Sequence, residues 1–402
     1  MKLTVQIPTA FRRFTAGAAT LECSVATLPE LLVHLEEHYP GLKPHLRDDS
    51  GRLRPFVNIY VNEEDIRFLG GNDYRFQDGD EVMLVPSIAG GNLDTVGPIA
   101  VPATSANLGC AFDCAALALN RYLKARATRR ESPGFRVVYR GPRPEGIPKD
   151  DSNLVVQGIR KLTAWAGMKE SSATVEIESE IPVGVGFGSS AAAILAGILL
   201  GAGLCGIELD EATVLRLAVE LEGHPDNVAA AYLGGLVVSA TCPDSGAVLA
   251  VKTSVPLDLE FLAVVPALVL PTKQSREVLP ENYSRADAVH NLQRAALLAA
   301  TCFSGQFNLL PELFSDRLHQ PYRSRLIPGL EACLGTRHPG LLGVFLSGAG
   351  SAVLAVVRHS APEVAELIAR EFRRHNLPTE TLFLKAENCG VQERVLRGIG
   401  ES

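Results

Sequence analysis

Pro182-Val183-Gly184-Val185-Gly186-Phe187-Gly188-Ser189-Ser190-Ala191-Ala192 lies between a β-like run, Ala173 to Ile181, and an uncharged, alanine-rich run, Ala191 to Ile207. Three glycines at alternate positions free the backbone to turn its N–H groups inward around an anion. A helix starting on the serines adds the partial positive charge of its N-terminus at the same spot. Ser189 and Ser190 offer hydroxyls to a phosphate or to a phosphate-bound Mg²⁺. The order strand, glycine turn, helix therefore predicts a mixed α and β domain organised around a phosphate site.

Other glycine-rich loops fit less well. A Walker A loop needs Gly-Lys-Ser/Thr, and no lysine is present here. A dinucleotide fingerprint can be read as Gly186-x-Gly188-x-x-Ala191 with Glu208 following, but Glu208 leads into a helical run, Asp210 to Leu221, rather than ending a strand. A purely structural tight turn is a third reading. Ala191 to Ile207 is only at the short limit for a bilayer span, so a buried helix is expected.

The whole chain has 402 residues, 47% hydrophobic and 21% charged, with a net charge of -7. That is an ordinary globular composition, long enough for two or three domains. Residues 1–91 carry 9 basic and 13 acidic side chains, against 29 and 32 in the remainder. Neither part is basic enough to point to nucleic acid. Eight cysteines are scattered without a CxxC pair, and the start, MKLTVQIPTA, is no secretory signal. Reduced thiols in a cytoplasm are expected, with no membrane partner.

Residues 1–91 read as a separate compact unit. Thr4–Ile7 and Thr20–Val25 alternate like paired strands. Thr27 opens a helix with Glu30 as its capping-box partner and Leu28, Leu31, Leu32 and Leu35 as its stripe, and Pro40-Gly41 stops it. Strands follow at Val57–Val61 and Glu81–Val85, with a turn at Asp78-Gly79. The order ββαββ packs one helix on a mixed sheet. His34-Leu-Glu-Glu-His38 matches an H-x-x-E-H metal pattern, but the two histidines lie off the leucine stripe and lack a third ligand, so a solvated helix face is expected. Residues 92–97 read as a linker. From Pro98 longer strands and helices alternate, and Arg126 to Ser152 reads as a hairpin and a surface loop.

Residues 1–91 resemble the β-grasp, ubiquitin-like sulfur carriers of molybdopterin and thiamine biosynthesis, through Tyr39–Leu42, Val57–Arg67, Asp78–Val82 and the ending Ala89-Gly90-Gly91. The resemblance implies a terminal glycine carboxylate that is adenylated and then thiolated. Here the chain runs on past Gly91 into Asn92, so that chemistry requires a processing peptidase as well as a carrier-activating adenylyltransferase.

The phosphate loop resembles the second motif of the GHMP kinases, Pro-x-x-x-Gly-Leu-Gly-Ser-Ser-Ala-Ala, with Phe187 in place of Leu. Val101–Asp113, Glu222–Gly235 and Leu346–Val356 extend the likeness to the homoserine kinases over residues 98–402. It implies a two-lobed α/β kinase fold, giving an α+β chain overall, and phosphoryl transfer from ATP to L-homoserine with Mg²⁺, in threonine and sometimes methionine biosynthesis. A homodimer is expected. Arg276 and Arg323 match the arginines that hold the substrate carboxylate, a pairing that the guanidinium fork suits. Asn107 and Asp113 match the ammonium side, and His224 a substrate contact. Ser190 and Glu222 match the metal side, Thr272 a hydroxyl near the transferred group, and Asn153 a position near the adenine. Residues 182–192 match the triphosphate cradle. Asp113 is the candidate to orient the substrate hydroxyl, in a catalysis that is mainly positional.

The chain departs from the family at Cys110-Ala111, where Pro-Gly is usual, and at Ser351, where Pro is usual. The loss of glycine at 111 restricts the backbone and is expected to reshape the amino-acid pocket. A GHMP kinase for another small hydroxylated amino acid or alcohol, or an ATP-binding regulator with a docking domain, are the alternative functions.

Overall fold

The fold comes from a computed structural model, which describes residues 2–7, 12, 14, 15, 17–47, 53, 57–62, 64–86, 95–169, 172–306 and 311–391. Gly90 and Gly91, the expected carrier terminus, lie outside the described residues, as do residues 92–94 of the expected linker. The chain divides into two compact units. The first is Met1–Asp94 together with Arg160–Ser171 and Gly201–Asp210; the second is Thr95–Ile159, Ser172–Leu200 and Glu211–Ser402.

In the first unit, β1 (Lys2–Gln6), β2 (Thr20–Ser24), β3 (Val57–Val61), β4 (Glu64–Asp65) and β5 (Glu81–Pro86) form one sheet, in the order β2-β1-β5-β3-β4. Among the described residues of this unit only the β1–β5 pair is parallel. Helix α1 (Leu28–His38) buries all four leucines of its expected stripe. They join Leu3, Val5, Ile59, Val61, Val82 and Leu84, which alternate along the strands and so share one face. The expected capping box does not form, because Glu30 bonds one residue ahead of the N-cap Thr27. The Glu30 carboxylate accepts from the Ala26 N–H at 2.8 Å, while the Thr27 side chain makes no cap bond. After a short turn at Pro40–Leu42 comes α2 (Lys43–Leu46). His34 and His38 lie one turn apart on α1 with ring centroids 4.1 Å from each other. Among the described residues no group of three His, Cys, Asp or Glu is placed to hold a metal.

The second unit opens with β6 (Thr95–Ala106), so Thr95–Gly97 are strand rather than linker, with Thr95 paired to Thr128 and Val96 to Ala127. β7 (Ala115–Arg129), β8 (Phe135–Arg140), β9 (Ala173–Ser179), β10 (Leu236–Thr241) and β11 (Val248–Thr253) complete a six-stranded sheet. The hairpin expected within 126–152 does not form. β8 pairs with β9 in parallel, and β9 lies between β8 and β7. Parallel neighbours need a crossover, and α3 (Leu154–Trp165) supplies it.

Helix α4 (Ser189–Cys205) is the buried helix anticipated from Ala191 to Ile207. It crosses α3 closely, since a Cβ at Gly158 would lie 2.6 Å from the Ile194 carbonyl oxygen and one at Gly197 would lie 2.2 Å from that of Val155. No described helix is long and apolar enough to cross a membrane. α5 (Glu211–Glu222) and α6 (Asp226–Leu233) follow.

A second, four-stranded antiparallel sheet contains β12 (Glu260–Pro266), β13 (Leu341–Leu346), β14 (Val353–Val357) and β15 (Thr379–Leu384), in the order β13-β14-β12-β15. Between β12 and β13 come α7 (Thr272–Glu277), α8 (Arg285–Phe303), α9 (Gln320–Arg323) and α10 (Leu330–Leu334). α11 (Ala361–Arg373), between β14 and β15, presents Val364, Ala365, Ile368, Ala369 and Phe372 at helical spacing. These side chains bury against Leu262, Val264, Val344, Leu346, Val353 and Ala355 of the sheet. Burial of this kind contributes roughly 1.5–3 kcal/mol per large side chain.

Candidate active site

The loop after β9 carries glycines at φ +71, +94 and +62 (Gly184, Gly186 and Gly188). Packing excludes a side chain at two of them. A Cβ at Gly186 would lie 1.9 Å from the Ser347 carbonyl oxygen, and one at Gly188 would lie 2.0 Å from Thr104 Oγ1. Every carbonyl from 183 to 188 is taken. Val183 O accepts from Arg143 Nη1 at 2.7 Å, and Gly186 O from Ser347 Oγ at 2.7 Å. Gly184 O, Val185 O, Phe187 O and Gly188 O accept from the N–H groups of Leu270, Ala352, Thr104 and Ala192. The N–H groups of residues 183–190 donate to no described residue. With its oxygens all engaged elsewhere, the loop keeps its donors for an anion, next to the first turn of α4.

Gly184, Gly186, Phe187, Gly188, Ser189 and Ser190 line a cavity of about 590 Å³, open to solvent, together with Asn107, Asp113, Glu222, His224, Thr272, Arg276 and Arg323. These are residues named from the sequence, and the fold brings them to one place. Ser190, in the first turn of α4, donates to Glu222 Oε2 at 2.6 Å. Burial raises the Glu222 carboxyl above its ordinary value, against the opposing influence of Ser190 and His224. A hydroxyl and a buried carboxylate are hard oxygen donors, few in number. They fit Mg²⁺, which keeps most of its waters.

Facing this corner, Arg276 on α7 forks onto both oxygens of Asp113, 2.9 Å each. Arg323 on α9 is 1% exposed, and its Nη1 donates to Gly348 O and its Nε to Ser275 O. Burial and the nearby Arg276 push Arg323 down to about 10, so it stays charged at neutral pH. Both guanidinium groups approach the ring of Phe112, 5.8 and 5.5 Å from its centroid for Arg276 and Arg323. His224 Nδ1 donates to Asp226 Oδ1 at 2.6 Å. Burial alone would lower its pKa, but Asp226 and Glu222 outweigh that and raise it.

Asn107 is in the left-handed region, φ +72, which asparagine tolerates. Its side chain donates to Gly348 O and accepts from the Asp113 N–H, so it shapes the pocket as well as lining it. Asn153 lies away from the cavity lining, where its Oδ1 accepts from the Val155 N–H at the start of α3. Pro182, Val183, Val185, Ala191 and Ala192 do not line it either, and the last three are fully buried.

Ala111 does not have a positive φ; the positive-φ positions of that loop are Asn107, Leu108, Gly109 and Asp113. Alanine therefore fits where glycine was expected to be needed. The Ser351 hydroxyl donates to the Leu268 carbonyl. Sequence reading passed over Asp226, Asn227 and the turn Gly348–Gly350 as lining residues, although all fall inside the quoted motifs. Thr104 was missed as well, and its Oγ1 donates to Asn227 Oδ1 at 2.6 Å.

Residues 153–235 match the family described as GHMP kinases N terminal domain, residues 288–375 match GHMP kinases C terminal, and residues 5–91 match the ThiS family. The homoserine kinase of Solibacter usitatus is 43% identical over 295 residues, 73% of this chain and 94% of that one. That of Desulfitobacterium hafniense is 38% identical over 295 residues, 73% and 98%. The crystal structure of homoserine kinase from Cytophaga hutchinsonii covers 75% of this chain and 98% of its own, at 27% identity and a TM-score of 0.63. With a β-grasp segment of the ThiS family ahead of it, the chain belongs to the homoserine kinase family of GHMP kinases.

Proposed function

We propose that the protein transfers the terminal phosphoryl group of ATP to the side-chain hydroxyl of L-homoserine. The observation that carries this reading is the loop of residues 183–190, whose N–H groups are unpaired among the described residues while its carbonyls from 183 to 188 are all taken. A row of donors at a helix start fits a polyphosphate. In the same cavity, two guanidinium groups and Asp113 suit a zwitterion with a carboxylate and an ammonium.

Ser190 and Glu222 would hold Mg²⁺, which supplies charge neutralisation at the phosphate oxygens. Asp113 already accepts two hydrogen bonds from Arg276, which favours an orienting role over removal of a proton. Catalysis then rests on alignment: the loop fixes the phosphates, Arg276 and Arg323 fix the carboxylate, and Asp113, Asn107 and His224 orient the other end. Thr272, which lines the same cavity, is the hydroxyl near the transferred group in this reading. The product serves threonine synthesis in a cytoplasm, and the assembly is a homodimer.

Residues 1–91 form the carrier domain of this reading and residues 98–402 the kinase. Cleavage after Gly91 would expose the carboxylate that an adenylyltransferase activates. Intact-mass measurement on protein from its native host tests this; full-length chain under every sulfur supply refutes it.

ADP release by the full chain over a panel of hydroxy-amino acids and small alcohols tests the kinase reading. Homoserine is expected to give the highest kcat/KM. A better alcohol acceptor shifts the substrate, and no turnover with any acceptor overturns the proposal.

A further inference from the structure

Arg323 is the largest fully buried side chain among the described residues, and no carboxylate forms an ion pair with it. Asp113 and Asp316 act on it only from beyond ion-pair distance, and a buried guanidinium without a close carboxylate is costly unless neutral acceptors hold it and an anion meets it. Its acceptors are all uncharged: Ser275 O at 3.2 Å from Nε, and Gly348 O and His319 Nδ1, both 3.0 Å from Nη1.

His319 has no exposed surface, and its Nε2 lies 2.7 Å from Gly109 O. A carbonyl oxygen only accepts, so Nε2 carries the proton and Nδ1 offers its lone pair to Arg323. With Nδ1 accepting and Nε2 protonated the ring is neutral; burial pushes its pKa down to about 4, against the buried Asp316 carboxylate 3.6 Å from Nε2 and with Arg323 acting in the same direction as burial. The ring also stacks on Phe112, at 5.2 Å and 22°. One side chain thus ties the loop of Gly109 and Phe112 to Arg323.

We propose that His319 is a positioning residue for the amino-acid carboxylate: it aims the Arg323 guanidinium into the cavity through an uncharged acceptor and leaves its charge to be met by the substrate. This rests on the reading of the site as one for homoserine. A carboxylate at the same point would hold Arg323 equally well but would cancel the charge that the substrate needs.

Three substitutions separate these roles. His319→Gln keeps an N–H donor at the Nε2 position and loses the acceptor at Nδ1. His319→Asn keeps an acceptor at the Nδ1 position, and His319→Asp is its charged isostere. His319→Gln is expected to raise the KM for homoserine about 10- to 100-fold, the worth of a hydrogen bond to a charged group, with the KM for ATP changed less than about twofold. His319→Asn is expected to recover most of that loss, whereas His319→Asp is not.

With 3-aminopropan-1-ol, which lacks the carboxylate, His319→Gln and the unsubstituted protein are expected to perform alike. Asn and Asp variants that behave identically would overturn the proposal, as would a Gln variant that loses both KM values together or loses as much with the amino alcohol. If the Gln variant does not fold, the Asn and Asp pair decides the question alone. Unsubstituted protein that does not phosphorylate homoserine counts against the proposed function; a normal enzyme indifferent to Asn or Asp counts against His319.

Discussion

Replacing Gly186 by alanine perturbs the phosphate loop at its tightest point. The added Cβ would lie 1.9 Å from Ser347 O, 2.9 Å from Ser347 C and 3.1 Å from Gly350 N, all backbone atoms of the β13–β14 turn. A φ of +94 adds a backbone cost for any L residue. Left-handed strain costs about 1–2 kcal/mol and overpacking against a rigid neighbour about 1–3 kcal/mol, about 2–5 kcal/mol together. At roughly 2–4 °C per kcal/mol, the melting temperature should fall by about 4–20 °C. The turn cannot yield without moving Ser347 Oγ away from Gly186 O and turning the neighbouring N–H groups, so the KM for ATP should rise at least about tenfold. Gly246→Ala is the control: φ is +67 there, with nothing within 4 Å of the added Cβ. It should lose only the strain component and keep its KM. Calorimetry and steady-state kinetics on both variants measure this. If Gly186→Ala melts with Gly246→Ala, or keeps its KM for ATP, the loop is not held by the turn as described.

Arg276→Lys replaces the fork that holds Asp113 by a point charge, so the KM for homoserine should rise about 10- to 100-fold with that for ATP nearly constant, and equal loss for both substrates in steady-state assays would refute a role on the amino-acid side. Glu222 has a raised pKa, so protons compete with a cation there at higher pH than at an ordinary carboxylate. The Mg²⁺ concentration for half-maximal nucleotide binding should therefore rise as pH falls toward that raised value, more steeply than in Glu222→Gln. Identical titrations of the two proteins would remove Glu222 from the metal site.

Much of the site was legible because its residues cluster in short motifs whose chemistry is local. Gly184, Gly186 and Gly188 marked a turn with positive φ, and Ser190 marked a helix start beside it. The pairing of Arg276 with Asp113 was not legible; the sequence assigned them opposite ends of the substrate. That Asn153 caps α3 was not legible either; an amide before a helix finds the nearest unpaired N–H. The hairpin over 126–152 failed for a related reason: strand propensity identifies strands but not their partners.

The sequence by itself determined the strand–turn–helix of the phosphate loop, the leucine stripe of α1 and the buried run of α4, since each depends on neighbours within a few residues. Only the tertiary structure decided how the loop is held, because donors from Thr104, Arg143, Leu270, Ser347 and Ala352 take its carbonyls and leave its N–H groups unpaired among the described residues. It also decided that β9 lies between β7 and β8, and that a neutral His319 holds Arg323. Periodicity cannot encode such contacts, because they exist only when distant segments are brought together by the burial of the sheets and helices that carry them.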